Sequence, residues 1–182
     1  MKWFQAILQP NTTRSTTGRI GTRPCLAAIL DKKILQLISA DARIPFLEVA
    51  RICKVSSAAI HQRIQKLFNQ GVLKGSRFIL EPEKVGYETC AYVGLHLKDP
   101  SSSDKVAEAL EKIPEVVECH VPTGHYDLFI KLYATNNRHL MSIIHDKLQP
   151  LGLSGSETII SFNALIDRQV SVDKVVVKEE EA

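Results

Sequence analysis

From Asp31 to Asp41 apolar residues recur at helical spacing, with Ile34, Leu35, Leu37 and Ile38 on one side and Lys32, Lys33 and Gln36 on the other. Asp31 stands where a cap or first-turn acid belongs. A second, shorter helix is expected after Pro45, over Phe46–Cys53, with apolar positions 46, 47, 49, 50 and 53. Ser56 and Ser57 offer a hydroxyl cap to a third helix, Ala58 to about Gln70, which Gly71 stops. The stretch from Val72 to Leu80 reads as a short hairpin or extended hinge, followed by a turn at Glu81-Pro82-Glu83. Beyond it the period changes. Strands are expected at 89–97, 115–121, 126–134 and 156–166, helices at 102–112 and 136–148, and a turn at Pro122-Thr123-Gly124. That order is βαββαβ, with strands of mixed direction and two crossover helices on one face.

The expected class is therefore α+β: an N-terminal winged or three-helix helix-turn-helix domain and a C-terminal ferredoxin-like sandwich. The boundaries read from the pattern are an arm over 1–28, the helix-turn-helix over 29–71, a hinge over 72–86, the sandwich over 87–170 and a tail over 171–182. The arm mixes Thr, Ser, Gly, Pro and Arg without periodicity and carries Lys2, Arg14, Arg19 and Arg23. The tail holds Val175, Val176 and Val177, a candidate edge strand, before an acidic end.

Charge sharpens this picture. A net +3 over 182 residues hides a strong partition. Residues 1–80 carry 13 Lys+Arg against 3 Asp+Glu, and residues 81–182 carry 10 against 17. A basic half beside an acidic one points to a polyanion partner for the first, because neutralising phosphates releases their condensed counterions. No stretch is long and apolar enough for a membrane helix, and the first ten residues are too short and polar for a signal peptide, so the cytoplasm is the expected compartment and no membrane partner is expected. Cys25, Cys53, Cys90 and Cys119 lie far apart, without the spacing of a zinc cluster or a small disulfide scaffold. No metal or cofactor is expected, apart from an amino-acid effector. His96, His120, His139 and His145 show no ligand spacing either.

A helix-turn-helix needs a small residue in its first helix, an apolar residue at its turn and an apolar stripe inside its second. Ala50, Val55 and the series Ile60, Ile64, Leu67 supply them. The outward side then presents Ser56, Ser57, Ala58, His61, Gln62, Gln65 and Lys66, side chains suited to base edges and phosphates in a major groove. Arg77 adds a further phosphate contact. No acid occurs from Lys54 to Leu80. Lys54 occupies the turn position where glycine is usual, since the backbone there often goes left-handed.

These stretches, together with Leu30-Asp31-Lys32-Lys33-Ile34-Leu35, Gly71-Val72-Leu73-Lys74-Gly75, Glu118 through Leu128 and Glu157-Thr158-Ile159-Ile160-Ser161, resemble the leucine-responsive/asparagine-responsive (Lrp/AsnC) family of regulators. The resemblance spans about residues 30 to 170 and departs from the family pattern at His125 and Phe68. It implies double-stranded DNA as one partner, dimers built through hinge and sheet, and assembly of four dimers into a ring. It also implies an effector pocket formed from Thr123, Gly124, His125, Tyr126 and Asp127, with Ser154, Ser156 and Thr158 from the last strand. Gly124 would let backbone amides approach a carboxylate, and Asp127 would pair an α-ammonium group while hydroxyls complete the clamp. The alternative for this segment is a tight β-turn with a structural Asp127.

An enzyme is disfavoured: no phosphate loop, dinucleotide fingerprint or paired carboxylates occur, and Cys119 and His120, adjacent in a strand, point to opposite faces. The competing function is an amino-acid-binding sensor that acts through protein partners and binds DNA weakly or without selectivity.

Overall fold

The computed structural model describes residues 29–173, which form two compact units, one reaching to Phe78 and regaining the chain from Arg168, the other spanning Ile79–Asp167. The arm over 1–28 and the valines at 175–177 lie outside the described residues.

In the first unit, α1 (Ile29–Ala40), α2 (Phe46–Cys53) and α3 (Ser57–Asn69) enclose a core of Ile34, Val49, Ala50, Ile60 and Ile64. Each of these sits where the helical period placed an inward side chain. Leu47, counted among the apolar positions of α2, instead faces water. Asp31 lies inside the first turn of α1, which begins at Ile29, and its buried carboxylate is 3.4 Å from Arg63 Nη1 on α3. The pair holds the first helix against the third, and the half-exposed guanidinium keeps the buried charge compensated. The residues after α3 form no hairpin. From Leu73 to Leu80 the chain makes no ladder, and Phe78, Ile79 and Leu80 stand exposed. A lone extended segment has its backbone groups open to water and gains nothing from strand geometry without a partner strand. Arg43, from the loop between α1 and α2, lies 4.7 Å over the Phe78 ring.

The second unit is a four-stranded sheet with β1 (Thr89–Leu97), β2 (Val116–His120), β3 (Leu128–Ala134) and β4 (Leu153–Ser161) in the order β2-β3-β1-β4. All three ladders are antiparallel, so strands that share a direction are never neighbours. Alternation along β1 and β3 buries Ala91, Val93, Leu95, Leu97 and Leu128, Ile130, Leu132, Ala134 on one face. Against that face pack Val106 and Leu110 of α4 (Ser103–Leu110) and Leu140 of α5 (Asn137–Ser142). The chain runs on from α5 through a π-helical turn, Ile143–Leu148, that buries Ile143 and Leu148. The last strand begins and ends earlier than the pattern of 156–166 suggested, because left-handed Gly152 releases the chain directly into β4. Past Ser161 no ladder continues, and Phe162, Leu165 and Ile166 are exposed.

Candidate functional site

The exposed polar face of the first unit lies on α3, which α2 and the turn after it lead into. Lys54 takes the left-handed conformation, φ 56°, and is the one described non-glycine residue with positive φ. The turn therefore has the glycine-type geometry that its position called for, with a lysine bearing it. Ser56 then caps α3: its hydroxyl oxygen accepts from Ala59 N–H at 3.2 Å. Beyond the cap, Ala58, His61, Gln62, Gln65 and Lys66 are exposed and Ser57 half-buried, while Ile60, Ile64 and Leu67 are buried. The helix thus presents one polar, acid-free face, with its N-terminal end free of side-chain anions. His61 is less independent than the sequence implied, because its ring meets Phe46 of α2 edge-on at 4.9 Å. Gln65 donates to Asn69 Oδ1 at 3.1 Å, an intrahelical bond that keeps its amide extended along the helix. Arg77 is exposed on the extended segment beyond Gly75, not on a helix.

In the second unit the Thr123–Asp127 turn joins β2 to β3. Gly124 has φ 130°, a conformation that side-chain-bearing residues rarely adopt. Thr123, Gly124 and His125 are exposed. Tyr126 lies across Gly94 in the middle of β1. A Cβ at that position would come within 2.5 Å of the ring, so the glycine is what lets the ring rest on the strand. The Tyr126 hydroxyl donates to Glu157 Oε2 at 2.6 Å. That bond to Glu157 holds the phenol's pKa above its usual value, with partial burial adding to the effect. His125 packs 4.0 Å from the Tyr126 ring and His96 5.3 Å from it, so two imidazoles and a phenol crowd one corner of the sheet.

Asp127 does something different. Its Oδ2 accepts from Leu97 N–H at 2.8 Å, and its own N–H donates to Leu95 C=O at 3.0 Å. The hydroxyl of Ser154 donates to Leu97 C=O at 3.3 Å. Both backbone polar groups of Leu97, at the register shift between β1 and β4, are therefore bound by residues the sequence had assigned to a ligand. Asp127 fits the structural alternative for this turn.

Ser156 and Thr158 lie elsewhere again. They pair across from Leu95 and Val93, on the helix-bearing side of the sheet but exposed at its β4 edge, whereas Glu157 pairs with Gly94 on the opposite, open face with Tyr126. The structure thus brings together His125 and Tyr126 and adds Gly94, His96 and Glu157, which sequence reasoning did not single out. One signal existed: a glycine inside an apolar strand marks a close approach. The open face continues through Tyr92 and Phe129, stacked at 6.0 Å, to Lys131. Burial pulls the Lys131 pKa down, but the Tyr133 hydroxyl and the Glu118 carboxylate at 3.5 Å outweigh it and raise the net value. Among the described residues no cluster of three His, Cys, Asp or Glu could hold a metal ion, and no helix is long and apolar enough to cross a membrane.

Comparison with known proteins matches residues 29–67 to the AsnC-type helix-turn-helix domain and residues 90–171 to the Lrp/AsnC ligand binding domain. The regulatory protein AsnC of Haemophilus influenzae is 36% identical over 142 residues, 78% of this chain and 95% of that protein. The HTH-type transcriptional regulator FL11 of Pyrococcus horikoshii is 34% identical over 131 residues, 72% of this chain and 86% of the relative. Among solved structures, that of Escherichia coli AsnC superposes with a TM-score of 0.75 at 30% identity, covering 80% of this chain and 99% of the other. A transcriptional regulator from Neisseria meningitidis, solved in complex with L-Met, shares the fold with a TM-score of 0.71 at 21% identity, over 78% and 93% of the two chains.

Proposed function

The chain belongs to the Lrp/AsnC family of transcriptional regulators, and from that premise we propose that α3 reads a major groove while the second unit adjusts this binding in response to a small amino acid. The observation that carries the reading is the acid-free outer face of α3, set on a capped helix whose inner stripe is buried. Gln62 and Gln65 are the base-reading side chains, with Ser56, Ser57, Ala58 and His61 at the groove edge, and Lys66 and Arg77 answer phosphates. The chain acts as a regulator without catalysing a reaction, in the cytoplasm where its DNA is.

The effector corner in this reading is formed by the Thr123–Gly124 backbone, His125, Tyr126 and Glu157. Exposed turn amides suit a carboxylate, and the Glu157 carboxylate suits an ammonium group. Asp127 and Ser154 support the corner through Leu97, whereas Ser156 and Thr158 lie on the opposite face of β4. The amino-acid class is supported by the family's ligand-binding domain and by the L-Met held on the same fold in the Neisseria protein. Self-association belongs to the same reading. The exposed, unladdered Phe78-Ile79-Leu80 supports strand pairing with a second copy, and the open aromatic sheet face supports dimer contact, with dimers joining into larger rings.

The decisive experiment is a fluorescence anisotropy titration against the chain's own upstream DNA and a scrambled duplex, at two salt concentrations, with and without an amino-acid pool. Tighter upstream binding that shifts with the pool is the expected result. Equal affinity for both duplexes, with ligand binding retained, would favour a sensor acting through protein partners.

A further inference from the structure

The chain leaves the sheet at Ser161 and stays exposed from Phe162 to Val170, with Phe162, Leu165, Ile166 and Val170 in water. It is then caught again. Val172 is half-buried against Leu35, Leu67, Val72 and Leu73, a small cluster between α1 and the end of α3. Two polar bonds flank this contact. Lys32 Nζ on α1 donates to Asp173 C=O at 2.6 Å, and Gln36 Nε2, one turn later, donates to Asp173 Oδ1 at 2.7 Å. The Ser171 hydroxyl donates to Asp173 Oδ2 at 2.8 Å, so both carboxylate oxygens are engaged. These bonds hold the Asp173 carboxyl below its usual range, with Gln36 contributing most and Ser171 next.

We propose that Ser171–Asp173 form a strap that clips onto α1 and α3 and gives the DNA-binding unit a second tether to β4, beside the segment that precedes β1. Several features favour a working tether over a trailing end. The three residues combine an apolar plug with two directed hydrogen bonds, the arrangement of a specific docking motif. The strap meets Leu35 and Leu67, which belong to the buried side of their helices, so it leaves Gln62, Gln65 and Lys66 open and does not compete for DNA. The stretch of chain that leads to it starts at the end of the strand that carries Glu157. That gives β4 a covalent route to α1 and α3 through the nine exposed residues from Phe162 to Val170.

This coupling rests on the DNA reading above, but the docking does not, and hydrogen exchange on the full chain separates the two. In the free protein, Val172→Asp should speed exchange of the α1 amides around Leu35 and the α3 amides around Leu67 by about tenfold, leaving β1 and β3 unchanged. Val172→Leu, which keeps the plug apolar, should behave as the native chain. Unchanged α1 and α3 exchange in Val172→Asp would overturn the strap. With a duplex of the chain's own upstream sequence, the native protein should slow exchange in α3 and alter it in β4. Val172→Asp should keep the α3 response and lose that of β4. A β4 response that survives Val172→Asp would overturn the coupling, and a native chain whose α3 ignores the duplex would overturn the coupling and the DNA reading together.

Discussion

At Lys54 the chain puts a long side chain where the backbone turns left-handed, at a cost of about 1–2 kcal/mol relative to an ordinary helical conformation. Lys54→Gly should therefore stabilise the first unit by about 1 kcal/mol in urea unfolding, the relief of Cβ strain outweighing the extra freedom of glycine in the unfolded chain. No gain in midpoint would mean that the lysine stem recovers the strain through packing. The same substitution removes a positive charge beside the reading helix, so non-specific DNA affinity should fall even as stability rises. This position was legible in the sequence because backbone geometry belongs to the motif itself. Asp127 was not. Its type and place are equally consistent with holding an ammonium group or an amide, and only the register of β1 shows that Leu97 N–H lies 2.8 Å from it. Arg63 escaped notice for a related reason: its partner Asp31 is adjacent in space but far along the chain.

Among the elements, α3 was the most predictable, since three apolar residues at helical spacing and a serine cap determine both its axis and its outward face. That face allows two kinds of contact to be told apart. Gln62→Ala or Gln65→Ala should reduce the preference for upstream over scrambled DNA, whereas Lys66→Ala or Arg77→Ala should weaken both duplexes alike and lower the salt slope by about one. Equal losses on both duplexes from the glutamine changes would reassign them to backbone contacts. Gln65 differs from Gln62 in having one amide N–H already engaged by Asn69. The limits of β4 and the segment after α3 were harder to place. Apolar residues continue past Ser161 and through Phe78–Leu80, so hydrophobicity alone extends both as strands, while the described residues offer neither a partner edge.

Over the whole molecule, charge is divided between a basic reading unit and an acidic second unit, and that division was visible from composition. The internal electrostatics of the second unit were not. Glu115 is buried ahead of β2, its Oε1 2.6 Å from Lys147 Nζ and 3.4 Å from His139 Nε2, and its Oε2 is without a hydrogen-bond partner among the described residues. Thr135 N–H donates to His139 Nδ1, which turns the ring's Nε2 toward Glu115. Burial pushes the Glu115 pKa up, but Lys147 and His139 outweigh it and leave the net value lowered. A carboxyl lowered in the folded state adds stability that is complete above its unfolded pKa and disappears as pH falls through the folded one. Glu115→Gln should accordingly be less stable than the native chain by a constant margin above about pH 5, and the margin should close in acid. A margin independent of pH would show that the carboxylate's charge contributes nothing beyond its shape.

The Leu97 clamp also has a meaning for folding errors. A strand slipped by one residue keeps most of its ladder bonds but turns every side chain over. For β4 that would move Glu157 to the helix-bearing side of the sheet and bring Thr158 beside Tyr126. Because Asp127 and Ser154 grip the amide and carbonyl of one residue from two different segments, only one alignment satisfies both. The corner is therefore a register mark, fixing β1 against both the turn before β3 and the start of β4.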